Sequence, residues 1–231
     1  MRKYIQSFRI FFGSCQIRAM LIFTAIIAGT AILCGVLSAL PINAFLDGFM
    51  QGVYSMMSAM SAVFGIIFLN ALYQYISPLT PGYKYFKSLP DGAAHFRRAI
   101  AAGNILGILS GLVLIAFVSV FFLLIGVDNG SSLFGLVLLF LATGVCNLTG
   151  FIRNSTWRII AMMGVLCLFG FSAGFLDGSG EADGNTALDL LSQNIGIIGI
   201  VIAVGTIAVA VFLAGFIYAI RVAEKKWGEV R

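Results

Sequence analysis

The sequence predicts an all-α integral membrane protein with six transmembrane helices, preceded by an N-terminal amphipathic helix in the membrane interface. Of its 231 residues, 60% are hydrophobic and 10% are charged, and the mean hydropathy is +1.04. An ordinary soluble domain carries about 25% charged residues. So few charges cannot cover a water-facing globule of this size. The apolar residues also fall into separate runs, and the basic residues lie in the two terminal segments and between alternate runs.

The first unit, residues 1–18, has the pattern of an amphipathic helix. Polar and basic residues recur at alternating spacings of four and three, with aromatic residues on the opposite side. The two stripes are Arg2, Gln6, Arg9, Gly13 and Gln16 on one side, and Tyr4, Phe8, Phe11, Phe12 and Cys15 on the other. Such a helix lies in the membrane interface. The alternative is a frayed extension of the first span.

Six apolar runs follow, each near the length that a span requires. A helix needs about 20 residues at 1.5 Å each to cross a ~30 Å hydrocarbon core. The predicted spans are Ala19–Leu40, Phe49–Ile76, Ala99–Val127, Leu133–Thr149, Trp157–Leu176 and Ile195–Ile220.

The charges assign an orientation to these spans. All fourteen basic residues fall in the two terminal segments or in the loops after the second and fourth spans, with Arg158 at the edge of the fifth. The opposite loops carry only acidic charges: Asp47, Asp128, Asp177, Glu181, Asp183 and Asp189. The positive-inside rule then places both termini in the cytoplasm of a multi-pass cell-membrane protein. This distribution explains the net charge of +5 better than a nucleic-acid partner does.

The loop 78–98 is the longest strongly polar interruption between two apolar runs. It holds three of the four prolines and the only histidine, His95. We expect a short amphipathic helix from Leu89 to Arg98, with Ser88 as its cap, Asp91 reaching back and Pro90 in the first turn. Such a helix would suit docking of a cytoplasmic partner. The candidate partner-binding residues are Lys87, Leu89, Pro90, Asp91, Ala93, Phe96, Arg97 and Arg98.

Small residues and asparagines within the spans indicate helix packing. Gly103, Gly107 and Gly111 recur every four residues in the third span, and Ser61 and Gly65 repeat the spacing in the second. In lipid such faces let helix backbones approach closely. The asparagines within spans, Asn70, Asn104 and Asn147, are expected to hydrogen-bond between helices.

No catalytic or metal-binding pattern stands out, so we expect a chain that is not an enzyme. The sequence has no HExxH, GxSxG or GxxxxGK[ST] motif and no carboxylates inside the spans. The acidic segment Asp177–Gln193 does not match the spacing of a calcium loop, so we interpret it as a solvated loop. Four scattered cysteines and His95 are interpreted as packing and interfacial residues. We expect no metal site.

Together these features resemble a known family. An amphipathic basic N-terminal helix, six spans with both ends inside and a short helix between spans two and three resemble the membrane subunits of ATP-binding-cassette (ABC) transporters of the type 2 export class. The stretch YKYFKSLPDGAAHFRRAI is similar to the family's coupling helix, which docks on the ATP-binding subunit. The chain departs from larger members in lacking a sizeable extracellular domain and a fused nucleotide-binding domain.

The resemblance implies a permease that forms one six-helix transmembrane domain over residues 1–231. It implies a separate ATP-binding subunit that binds ATP and Mg, and a second permease subunit, identical or related. It implies export of a hydrophobic or peptide-like substrate. Two alternatives remain open: a non-transporting scaffold or assembly factor that recruits a soluble partner through loop 78–98, and an intramembrane enzyme.

Overall fold

The structure is a computed structural model that describes residues 2–37, 44–76, 83–125, 131–152, 154, 156–161, 164 and 197–228, and every regular element within them is helical. The helices are α1 (Arg2–Phe11), α2 (Ser14–Leu37), α3 (Ala44–Tyr73), α4 (Tyr83–Ser88), α5 (Gly92–Ile125), α6 (Ser131–Thr149) and α7 (Ile197–Gly228). A 3₁₀ turn, Gln74–Ile76, extends α3, and residues 156–161 are also helical.

Three described helices contain stretches that are long and apolar enough to cross a membrane: Met20–Leu37, Gly92–Leu124 and Ile202–Ala223. Two shorter apolar stretches, Ala62–Ile76 and Gly135–Thr149, correspond to the predicted second and fourth spans. Most of the predicted fifth span, Trp157–Leu176, lies outside the described residues. The all-helical, membrane-compatible class is therefore confirmed, while the count of six spans stays a prediction.

The outer surfaces of the long helices are apolar. Val113 and Leu124 on α5 are 68% and 81% exposed, and Ile32 on α2 is 66% exposed. Such exposure of large aliphatic side chains along whole helices is unfavourable in water and normal against lipid.

The segment 83–98 differs from its prediction. It contains no separate helix from Leu89 to Arg98: a short α4 ends at Ser88, and α5 runs without a break from Gly92 into the apolar stretch. Ser88 does not cap the following helix, because its hydroxyl donates to the carbonyl of Tyr85 at 2.8 Å and so closes α4. Pro90 and the left-handed Asp91 interrupt the helix here, and the alanines and arginines after them continue it.

A tight turn joins α4 to α5. The amide of Gly92 donates to the carbonyl of Leu89 at 3.1 Å, with Pro90 and Asp91 between them. Asp91 has a φ of 55°, the left-handed conformation that aspartate tolerates and that this kind of turn requires. The carbonyl of Asp91 then accepts from the amide of His95 at 3.0 Å, which begins α5.

The predicted N-terminal helix is also divided. Residues 1–18 do not form one helix, because α1 ends at Phe11 and α2 begins at Ser14. Gly13 lies in the break, where its low helix propensity permits a change of direction. Helix α1 packs mainly against α5, and of its predicted aromatic stripe Phe8 and Phe11 belong to the buried core while Tyr4 is exposed.

Helix α3 lies at the centre of the bundle, with its most extensive contacts to α5 and α6, and α6 packs in turn against α7. The close approach of α3 and α5 depends on glycine: a Cβ atom at Gly107 would lie 3.0 Å from the Cα of Gly65. Gly65 also faces α6, where its Cβ would lie 2.5 Å from Oγ1 of Thr143. Gly103 faces Leu72 of α3, and Gly111 is buried. Gly103 and Gly107 of the predicted glycine ladder therefore contact α3 of the same chain.

We expect Gly107→Leu to lower the free energy of unfolding by about 1–3 kcal/mol, because the new side chain would force α5 away from the backbone of α3. The matched control is Leu109→Ile, at a position on the same helix that is 53% exposed. Thermal unfolding of both variants in detergent measures the difference. If Gly107→Leu unfolds at the wild-type temperature, the contact with Gly65 does not hold these helices together.

Candidate functional site: the basic end of the bundle

The helix ends that carry the basic residues meet at one end of the bundle, which we name the basic end. It comprises α1, α4, the start of α5, the carboxyl ends of α3, α6 and α7, and the described residues 150–152, 154 and 156–161. Contacts among these segments are hydrogen bonds and ring pairs between positions distant in sequence. Tyr73 bonds to Asn147, Arg158 bonds to Tyr73, and Phe96 stacks on Trp227.

Three aromatic rings lock the start of α5 in place. Phe96 of α5 stacks on Trp227 of α7 with ring centroids 4.7 Å apart and planes 27° apart. Phe11 of α1 meets both rings edge-on, at 5.6 Å from Phe96 and 6.0 Å from Trp227. Aromatic pairs in these geometries each contribute about 0.5–1.5 kcal/mol beyond their area burial. We name this cluster (Phe11, Phe96, Trp227) the aromatic joint.

The place of Phe96 in the aromatic joint bears on its predicted role as a partner-binding residue. Its side chain is fully buried among residues of its own chain, so any docking surface at the basic end has to rest on other residues. The sequence contains no signal for this contact, because Trp227 is far from Phe96 along the chain. Ala93, one turn before Phe96, is partly buried against the same core.

A hydrogen bond adds a polar tie between α1 and α5. The hydroxyl of the buried Ser7 donates to the carbonyl of Lys3 at 2.9 Å, and it lies 2.9 Å from Nδ1 of His95. Because the only hydroxyl proton is engaged, we assign His95 Nδ1–H as the donor to Ser7 Oγ. The sequence singled out His95 as an interfacial polar residue but did not identify Ser7 as its partner.

Beneath the joint, a buried polar network ties α3, α5 and α6 together. Asn147 donates to the Oδ1 of Asn104 at 2.6 Å, and Asn104 donates back at 3.2 Å. The hydroxyl of Tyr73 donates to Oδ1 of Asn147 at 2.8 Å. All three side chains are fully or almost fully buried. The prediction that Asn104 and Asn147 bond between helices is confirmed.

Arg158 continues this network to residues 156–161. Its side chain is only 5% exposed, and its Nη1 donates to the carbonyl of Tyr73 at 3.0 Å. The carbonyl belongs to the last residue of α3, where the α-helix passes into the 3₁₀ turn Gln74–Ile76. Among the described residues, Nε of Arg158 has no hydrogen-bond partner. A cation at a helix C-terminus also complements the helix dipole.

Apart from these buried contacts, α4 and the turn after it carry exposed side chains at the basic end. Tyr85 is 66% exposed, and Lys84, Ser88, Pro90 and Asp91 are also exposed. The principal contacts of α4 are with the 3₁₀ turn and the start of α5. Three of the other predicted partner-binding residues are half-buried: Leu89, Arg97 and Arg98. The side chain of Lys87 is outside the part of the chain that the structure describes.

The described residues hold no group of three or more His, Cys, Asp or Glu side chains that could bind a metal ion. Among the residues that the structure describes, Cys34 and Cys146 are buried thiols that form no disulfide bond. Comparison of the chain with protein-family models, curated proteins and solved structures finds no match.

A double-mutant cycle on Asn104 and Asn147 tests the hydrogen bonds between their side-chain amides. Replacing either Asn104 or Asn147 by Leu removes the hydrogen bonds between the two amides, whereas the double replacement removes both polar groups. We expect a coupling free energy of about 1 kcal/mol, near the upper part of the range for hydrogen bonds between membrane helices. Unfolding of the four proteins in mixed micelles gives this value. Strictly additive single effects would contradict a direct bond between the two amides.

Proposed function

We propose that this chain is the membrane subunit of an ATP-driven exporter similar to the type 2 ABC class. A separate ATP-binding subunit binds ATP and Mg and hydrolyses ATP, and a second permease subunit, identical or related, completes the transporter. In this proposal the chain has six spans, both termini in the cytoplasm of a cell-membrane protein, and no ATPase site of its own.

The observation that carries the proposal is the continuity between an exposed surface element and a membrane helix. Lys84, Tyr85 and Ser88 of α4 and Pro90 and Asp91 of the following turn are exposed, and α5 starts directly after them and continues as one helix to Ile125. A displacement applied at α4 therefore acts on the end of a rigid helix. That helix packs through Gly103 and Gly107 against α3, at the centre of the bundle.

The docking surface proposed here is shifted from the one that the sequence predicts. Lys84 and Tyr85 of α4, together with Pro90 and Asp91 of the turn, are the exposed contacts, with Leu89, Arg97 and Arg98 beside them. Phe96 and Ala93 hold the start of α5 instead of touching a partner. Lys87 keeps its predicted role, since it belongs to α4.

The basic end supports the proposed orientation. The carboxyl ends of α3, α6 and α7 meet the start of α5 there, so the basic loops that are separated in sequence lie on one side of the bundle. The positive-inside rule assigns that side to the cytoplasm, where a soluble ATPase is available. The apolar outer helix surfaces suit a hydrophobic or peptide-like substrate handled between two permease subunits.

The experiment is purification of the tagged full-length chain from its native membranes in mild detergent, followed by identification of co-purifying proteins and assay of ATP hydrolysis. We expect an ATP-binding subunit to co-purify. Tyr85→Ala should weaken its binding by roughly tenfold, because exposed aromatic residues are frequent binding hot spots. Lys84→Glu should slow association, more strongly at low salt.

The matched control is Arg221→Glu, an equal charge reversal at an exposed position on α7. It should leave the ATPase bound. Recovery of a soluble partner without ATPase activity would favour the scaffold alternative instead. Equal loss of the ATPase in the control and in both α4 variants would contradict docking through α4.

A further inference from the structure

Helix α1 presents two different faces, and only one of them is used by the rest of the chain. Its inner face, with Ser7, Phe8 and Phe11, is buried against the bundle. Its outer face carries Lys3 and Arg9, both exposed, beside Ile5 and Ile10, which are 47% and 39% exposed.

The outer face pairs each cation with an aliphatic side chain. Ile5 and Arg9 are four residues apart, and Lys3 and Ile10 are seven apart, so each pair lies on one line along the helix. Lys and Arg extend their charges on long apolar stems. A surface of this kind matches a boundary where acyl chains meet charged groups.

The basic residues of α1 have no acidic residue near them in the sequence. No acidic residue precedes Asp47, and α5, the helix on which α1 packs, contains none. The acidic positions on neighbouring elements are Asp47, near the amino end of α3, Asp91, in the turn before α5, and Glu224, on α7. The outer face of α1 therefore attracts anions.

Helix α1 lies next in sequence to a helix that is long and apolar enough to cross a membrane. Only Phe12 and Gly13 separate α1 from α2, whose membrane-compatible stretch begins at Met20. The inner face is fixed by the Ser7–His95 contact and by the aromatic joint, so α1 cannot turn its cations inward. The outer face is held in one orientation.

We propose that the outer face of α1 is a binding surface for anionic phospholipids. The headgroup phosphates contact Lys3 and Arg9, and Ile5 and Ile10 lie against the first carbons of the acyl chains. A membrane surface fits this face better than an acidic protein does, because α1 is joined directly to a membrane-compatible helix and mixes aliphatic with basic side chains. The proposal does not depend on an ATPase partner.

The test uses the full-length chain reconstituted in vesicles of phosphatidylcholine that contain a trace of spin-labelled lipid. The fraction of motionally restricted label is compared for phosphatidylglycerol and phosphatidylcholine. Each Lys or Arg near an anionic surface contributes on the order of 1 kcal/mol, or roughly fivefold. Wild type should prefer phosphatidylglycerol severalfold, and raising the salt concentration should reduce this preference.

The variant Lys3→Gln/Arg9→Gln should lose most of the preference while its circular dichroism and its unfolding in phosphatidylcholine stay unchanged. The control, Lys84→Gln, removes an exposed cation at the same end of the bundle and should keep the preference. An unchanged preference in the α1 variant, or an equal loss in the control, would overturn the proposal. So would loss of a protein partner from the α1 variant with the lipid preference intact.

Discussion

The close approach of α3 and α5 at Gly65 and Gly107 is the contact on which the rest of the structure depends. In lipid, apolar burial gives little drive between helices, so association relies on packing of backbones and on polar bonds. Gly65 faces both Gly107 on α5 and Thr143 on α6, which places α3 between these two helices. Gly144 and Gly215 make the same kind of contact between α6 and α7.

The close approach of the helices at these glycines permits the hydrogen bonds and ring contacts at the basic end. The amides of Asn104 and Asn147 bond in both directions only because α5 and α6 are brought together beside α3. Arg158 and the aromatic joint then fix the ends of α3, α5 and α7 relative to one another. A rigid end that carries an exposed α4 provides the mechanical connection that the proposed transport function requires.

Composition and spacing predicted the helical, membrane-compatible class, the glycine contacts and the asparagine bonds, because each depends on properties repeated along one helix. The start of α5 was predicted wrongly. Ser88 and Asp91 match a capping pattern, but such a pattern does not show whether the serine closes one helix or begins the next. The burial of Phe96 depends on Trp227 and Phe11, and contacts between distant segments have no local signature. The same holds for Arg158, whose target is the carbonyl that ends α3.

The central claim is that the basic end of one membrane-spanning bundle faces the cytoplasm, and labelling of single cysteines in intact cells tests it most directly. In a background without the four native cysteines, Asp128→Cys and Glu181→Cys should react with a membrane-impermeant thiol reagent. Lys84→Cys and Arg153→Cys should react only after the membrane is made permeable. Equal labelling of both sets in intact cells would contradict the orientation, and with it both the proposed docking of a cytoplasmic ATPase and the six-span topology.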